Sequence, residues 1–296
     1  MFDVLKYMKL NNPLYIMPVY STYLYNAEGY GDFIRSLLAV FVYCKENNIE
    51  HKLNIPNNPL NKCFDCITER LNYPIKGFIM GEKLDIQLMI DELNRCKDPN
   101  YNIILYSNVY TIVPLEKLKK YTSEFMAFLK LSDAVKQRMA VLRNQINNVE
   151  YVAMHIRCGD NFMDCEFQQD RSCSVVINPN QDILDRKLIK TIDFIKKNYN
   201  LPICLFTDVQ FVKDRVCKQY DLLSFKTKIH HIAAHSNNVD AFIDVIAEFE
   251  LMGEAKAIVK ISYTGFAYWS AFIHNVPLFM CSDVTLMVEP FDSIVY

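Results

Sequence analysis

EYVAMHIRCGD, residues 150–160, is the stretch whose reading decides the fold. An unbroken apolar run from Tyr151 to Met154 leads into His155, Arg157, Gly159 and Asp160. A run this short, closed by a polar loop, reads as a strand buried on both faces. PICLFT (202–207), TKIHHIA (227–233), AIVKIS (257–262) and PLFM (277–280) repeat the pattern downstream. Between them, 181–198, 209–220, 239–253 and 265–274 carry helical periodicity. In the third of these, Val239, Phe242, Ile243, Ile246 and Phe249 share one apolar face. Regular alternation of helices with wholly apolar strands predicts an α/β chain whose parallel sheet is covered by helices on both sides. Ligands of such sheets bind at the carboxyl ends of the strands, so chemistry is expected in the residues that follow each strand.

Upstream, LYIMPVY (14–20), KGFIM (76–80) and NIILYS (102–107) read as strands. Helical patterns cover 31–46, 83–96, 114–131 and 132–147, the last opening on Ser132-Asp133, a capping signal. The Asn-rich NQINNVE (144–150) is the candidate linker, and it divides the chain into 1–149 and 150–296. No internal repeat or low-complexity segment is present.

Hydrophobic residues make up 51% and charged residues 22% of the 296, enough apolar material for a sizeable core and too much for a disordered chain. A net charge of −2 and a pI near 6.3 give no electrostatic case for nucleic acid or an anionic membrane. KLKK at 117–120 reads as the solvated face of a helix. No window approaches the roughly 18 continuous apolar residues of a transmembrane segment. MFDVLKYMKLNN lacks the basic and apolar regions of a signal peptide. Ten cysteines are too sparse for a disulfide framework, and the Cys63/Cys66 CxxC has no second half to complete a zinc site. A soluble, cytoplasmic protein with free thiols is expected.

Only seven glycines occur, so their placement is informative. Gly29, Gly31, Gly159 and Gly265 all fall at strand ends or ahead of helices, where glycine lets backbone approach a ligand closely. The loop Asn26-Ala27-Glu28-Gly29-Tyr30-Gly31-Asp32 is a truncated dinucleotide fingerprint, with Ile34 at the third glycine position; a tight turn explains it as well. At the end of EYVAMHI, alternation puts His155 and Arg157 on one side. Arginine's fork of donors suits a pair of phosphate oxygens, although an ion pair of Arg157 with Asp160 or Asp164 also fits the spacing. Thr207-Asp208 ends the next strand and reads equally as a helix N-cap. In Ile261-Ser262-Tyr263-Thr264-Gly265, hydroxyls and backbone N–H groups gather at a helix N-terminus, which can bind an anion or be capped by Thr264.

In chain order, the GxG loop, the HxRxGD strand end, the TD strand end and the Ser/Thr-Gly turn resemble the fucosyltransferase superfamily that carries an HxRRGD motif. That superfamily comprises the α1,2-, α1,6- and protein O-fucosyltransferases. The resemblance implies a GT-B fold, two Rossmann-like domains facing across a cleft, with the nucleotide held mainly by residues after 150. It implies that Arg157 contacts the donor diphosphate, that His155 and Asp208 lie at the base of the site, and that Ser262, Thr264 and Gly265 form a further phosphate-side loop. Asp244 belongs to a later motif, and Gly29, Gly31 and Asp32 to the opening loop on the donor side. Two positions depart from the pattern. Cys158 replaces the second arginine, removing a positive charge from the expected diphosphate site, and Asp32 replaces an asparagine. Both leave room for another donor, such as a UDP-pentose.

The implied reaction is sugar transfer, most simply fucose from GDP-fucose, to a glycan or glycoconjugate hydroxyl with inversion. Its oxocarbenium-like transition state calls for a carboxylate base and for positive groups on the leaving diphosphate. No DxD occurs in the chain, so neither a metal nor any other cofactor is expected. Asp160, Asp164 and Glu166 follow the central motif and are candidate bases, with Glu28 and Asp32 as rivals. A non-catalytic carbohydrate- or partner-binding protein on the same scaffold is one alternative. An NAD-dependent enzyme using Gly29-x-Gly31 is another, and it lacks the acidic residue at the end of a clear second strand.

Overall fold

The computed structural model describes residues 14–16, 29–46, 51–53, 59–65, 75–80, 102–107, 115–158, 181–227, 238–262, 264–281 and 286–288. Short apolar runs become strands in two sheets. The first contains β1 (Leu14–Ile16), β2 (His51–Leu53), β3 (Ile75–Met80) and β4 (Asn102–Ser107), in the order β2-β1-β4-β3 and parallel throughout. The second contains β5 (Val152–Ile156), β6 (Ile203–Thr207), β7 (Ile258–Lys260), β8 (Leu278–Cys281) and β9 (Leu286–Val288). Its order is β6-β5-β7-β8-β9, parallel except for the antiparallel edge strand β9. The expected parallel α/β architecture is therefore present. β2 and β9 were not anticipated, since three residues are too few to carry a periodicity.

The helices are α1 (Tyr30–Glu46), α2 (Leu115–Lys120), α3 (Thr122–Leu129), α4 (Asp133–Gln145), α5 (Gln181–Asn198), α6 (Gln210–Tyr220), α7 (Val239–Gly253) and α8 (Gly265–His274). The single helix expected over 114–131 is broken at Tyr121, whose backbone (φ −104°, ψ 4°) leaves the helical region. In α2 the lysines of KLKK are exposed and Leu118 is buried, as a solvated helix face requires. Ser132 caps α4 by accepting from the Val135 N–H, and after α4 the chain turns through Asn147 and Asn148 at positive φ, which asparagine tolerates. The helix expected at 83–96 and residues 228–233 of the expected strand 227–233 lie outside the described residues. Thr227 itself is not in a strand; Leu223 instead bridges to Cys204 beside β6. Among the described residues no helix is long and apolar enough to cross a membrane.

Alternation along β5 divides the core. Val152, Met154 and Ile156 pack with Leu184, Leu188 and Ile192 of α5 and Val212 and Val216 of α6. Ala153, with Cys204, Phe206 and Ile258 from neighbouring strands, joins Phe249 of α7 and Phe272 of α8. That second cluster runs on without a break into Ile34, Leu37 and Leu38 of α1, Phe125 of α3 and Val135 of α4. The Tyr30 ring meets Phe249 edge-on, with centroids 4.8 Å apart.

Helix α1 reaches α8 because Gly31 has no side chain. A Cβ there would stand 2.6 Å from the Gly265 carbonyl carbon and 2.8 Å from the Phe266 nitrogen, closer than real atoms approach. Gly31, the second glycine of the GxG loop, thus brings two helix starts together. Gly31→Ala should force them apart and lower stability by about 1–3 kcal/mol, the usual range for overpacking. Urea unfolding measures this, and an unchanged midpoint would show that the helix ends shift freely.

Candidate functional site

From β5 the chain moves outward to β6 on one side and later returns to β7 on the other, so the strand order reverses between β5 and β7. At such a switch point the connections leave in opposite directions and open a crevice at the strands' carboxyl ends. The residues there are His155 and Arg157 after β5, and Lys260 and Ser262 at and after β7.

Two side chains fix this edge. The Ser262 hydroxyl accepts the Arg157 N–H (2.9 Å) and donates to the Arg157 carbonyl (3.0 Å). From the other flank, Asp208 Oδ1 accepts the Cys158 N–H at 2.7 Å. The backbone of residues 157 and 158 is thereby held from β7 and β6 together. Two residues beyond Ser262, Thr264 caps α8 by accepting the Phe266 N–H at 3.2 Å, and the Phe266 ring stacks on His155 with centroids 5.9 Å apart.

His155 is buried. Loss of solvent, then the charges of Arg157 and Lys260, lower its pKa to about 3, so its ring is neutral at any physiological pH. Its Nδ1 has no hydrogen-bond partner among the described residues. Arg157 is half-buried. Lys260, in register with His155, has no exposure at all, and its Nζ lies 5.8 Å from the Tyr268 ring centroid. The combination is a half-buried guanidinium, a buried ammonium, a neutral imidazole and a helix N-terminus gathered at one crevice. It is suited to an anion.

No protein-family model matches the chain, and no curated protein matches it by sequence. Solved structures do match. NodZ, an alpha-1,6-fucosyltransferase from Bradyrhizobium whose crystal was soaked with GDP-fucose, aligns over 95% of this chain and 100% of its own at 13% identity, TM-score 0.61. FUT1 of Arabidopsis thaliana, in complex with GDP, aligns over 94% of this chain and 73% of its own at 10% identity, TM-score 0.57. POFUT1 in its apo form covers 92% and 98% at 11% identity, TM-score 0.50. The chain has the fucosyltransferase fold.

On that fold the expected site residues divide. His155, Arg157, Asp208, Ser262, Thr264 and Gly265 come together around the ends of β5, β6 and β7. Gly29 opens α1, its carbonyl accepting the Phe33 N–H at 3.1 Å, and Gly31 rests on Gly265. Asp244 is not brought to the strand ends by its contacts: its carboxylate pairs with Arg138 across α4 and α7. Gly159, Asp160, Asp164, Glu166 and Glu28 lie outside the described residues, as does the side chain of Asp32.

Two readings at the strand ends change. Asp208 does not cap α6; Val209 occupies the cap position without a side-chain bond, and the Asp208 carboxylate turns to β5 instead. Cys158 does not thin the charge beside Arg157, because it points to the opposite face. Its thiol is wholly buried in the α5/α6 core, 3.7 Å from Thr207 Oγ1, and burial, then the Asp208 charge, push its pKa up to about 12. Lys260 escaped the sequence reading; a lone lysine inside the apolar AIVKIS was the available signal. Among the described residues no three His, Cys, Asp or Glu side chains lie close enough to share a metal ion.

The His155 shift links stability to pH. In the unfolded chain the ring takes a proton near pH 6.5, in the folded one near 3, so between these values the unfolded state binds the extra proton. Stability is complete above pH 6.5 and is lost as pH falls toward 3, by about 2 kcal/mol on reaching pH 5. Urea midpoints at pH 7 and pH 5 should therefore differ less in His155→Phe than in the wild type. Equal pH dependence in the two proteins would contradict a buried, neutral His155.

Proposed function

We propose that the protein is an inverting glycosyltransferase that moves a sugar, fucose from GDP-fucose in the first instance, to a hydroxyl of a glycan or glycoconjugate. One observation carries the proposal: Arg157, its backbone held by Ser262 at a sheet switch point where β7 leads into α8, on a fold shared with fucosyltransferases. In this reading 1–149 and 150–296 are the two Rossmann-like units of a GT-B enzyme, the first on the acceptor side and the second on the donor side. Free thiols at Cys63, Cys158, Cys204 and Cys217 support a reducing, cytoplasmic compartment.

The diphosphate lies across the carboxyl ends of β5 and β7. As the bond from the anomeric carbon to the diphosphate oxygen breaks, negative charge grows on the leaving group, where Arg157 and the first N–H groups of α8 stabilise it. His155, neutral, offers a hydrogen bond without adding charge. A carboxylate on the acceptor side takes the proton of the attacking hydroxyl; Asp160, Asp164 and Glu166 are proposed for this role, with Glu28 and Asp32 as rivals. Charge stabilisation by protein groups, together with the absence of DxD from the sequence, supports a reaction that runs without a metal.

Thermal shift with GDP, UDP and NAD tests the donor. GDP should raise the melting temperature; UDP in its place would point to a pentose or other donor, and NAD alone would overturn the reading. Binding of GDP without turnover of GDP-fucose would identify a binding protein on the same scaffold. In EDTA-containing buffer, Arg157→Ala should cut turnover by about two to three orders of magnitude, the range for losing one oxyanion donor. Arg157→Lys should recover only part, since a point charge cannot reproduce the fork. Both variants should melt close to wild type. Normal turnover, or an alanine variant that does not fold, would make Arg157 a scaffold residue.

A further inference from the structure

Gly31 seats the start of α1 on backbone rather than on side chains: the atoms a Cβ would strike are the Gly265 carbonyl carbon and oxygen and the Phe266 nitrogen. A crowded side chain can turn aside, whereas crowded backbone has to shift as a piece. The first turn of α8 is also held from its other side. Thr264 caps it through the Phe266 N–H, and Ser262, two residues earlier, is tied to the backbone of Arg157. The place of Phe266 is therefore set jointly by β5, β7 and α1. A continuous row of rings runs from α1 to the crevice. Phe33 stacks on Tyr30 with centroids 5.7 Å apart, and Tyr30 meets Phe249 edge-on at 4.8 Å. Phe249 meets Phe266 edge-on at 5.2 Å, and Phe266 stacks on His155 at 5.9 Å. Tyr30, Phe33 and Phe249 are buried and Phe266 is half-buried. A close-packed interior has little room to absorb a displacement and passes it on. The Phe266 ring covers His155, whose neutrality follows first from loss of solvent and only then from the charges of Arg157 and Lys260.

We propose that Gly31 is a positioning residue for the nucleotide site that does not itself touch the ligand: through the first turn of α8 and the Phe266 ring, it holds His155 in place from the first half of the chain. The effect on nucleotide rests on the nucleoside-diphosphate reading above, while the effect on His155 needs no ligand. Gly31→Ala is compared with wild type and with Gly253→Ala, in which a Cβ would collide with the His274 ring where α7 and α8 end. The second variant crowds the same pair of helices away from the crevice. In ligand-free Gly31→Ala the His155 ring, followed by NMR and assigned through His155→Phe, should titrate about one pH unit higher than in wild type, a tenfold gain in proton affinity. Water reaching the ring raises its proton affinity, and the Arg157 and Lys260 charges that face it are unchanged. Isothermal titration should show GDP bound about tenfold more weakly, the lower end for one hydrogen bond to a charged group. Gly253→Ala should melt lower as well, yet match wild type in both readouts.

Weaker GDP binding in Gly31→Ala with His155 unmoved in the free protein would make Gly31 a ligand contact and overturn the inference. Equal changes in Gly253→Ala, or no change in either readout, would overturn it too. A wild type that binds no GDP would overturn the nucleotide reading, and the His155 titration would still decide whether Gly31 holds that ring. Should Gly31→Ala not fold, native-state hydrogen exchange of the wild type decides instead. The amides of Phe33 and Trp269, in the first turns of α1 and α8, should then exchange through one shared opening, with the same free energy and urea dependence. Separate openings would overturn the proposal.

Discussion

The Ser262 hydroxyl both accepts from and donates to the backbone of Arg157, and the rest of the site follows from that double hydrogen bond. It ties the end of β5 to the end of β7 at the point where the sheet changes direction. With Asp208 holding the next N–H from β6, the edge cannot fray without leaving polar backbone groups unmet. Because β7 ends there, α8 begins two residues later under the Thr264 cap, and its first turn lays Phe266 on His155. That same turn is the surface on which Gly31 seats α1. A glycine before residue 150 and an arginine after it are thus linked through one helix N-terminus.

Charge at this edge is organised by burial. Apolar neighbours on both faces of β5 remove solvent from His155 and keep it neutral, whereas Arg157 remains half-buried. The same burial makes Cys158 inert: its thiol faces the opposite core with its pKa raised, so it contributes neither charge nor a nucleophile. One strand end therefore carries a neutral imidazole and a cation on one face and a silent thiol on the other, by alternation alone.

Much of this was legible in the sequence. Apolar runs as long as VAMHI and ICLFT are hard to read as anything but buried strands, and their order with the helices fixed a parallel α/β chain. Ser132 and Thr264 acted as the caps their positions suggested. What escaped depended on tertiary contacts. Asp208 has the local signature of a cap, and only the approach of β5 gives its carboxylate a better use. Asp244 was read from resemblance, and the packing of α4 on α7 pairs it with Arg138. Tyr121 breaks a helix with no proline or glycine between residues 115 and 131 to announce it. Lys260 was overlooked because one charged residue scarcely disturbs the pattern of an apolar strand, although in a buried strand it is the most informative residue.

Amide hydrogen exchange of the full chain with and without GDP tests the central claim, a nucleotide site built on the ends of β5, β6 and β7. The account predicts slowed exchange in peptides spanning residues 152–158, 203–208 and 258–266, with the largest change at the N–H groups of Arg157 and Phe266. Protection confined to residues before 150, or no change at these three strand ends while GDP is bound, would contradict it.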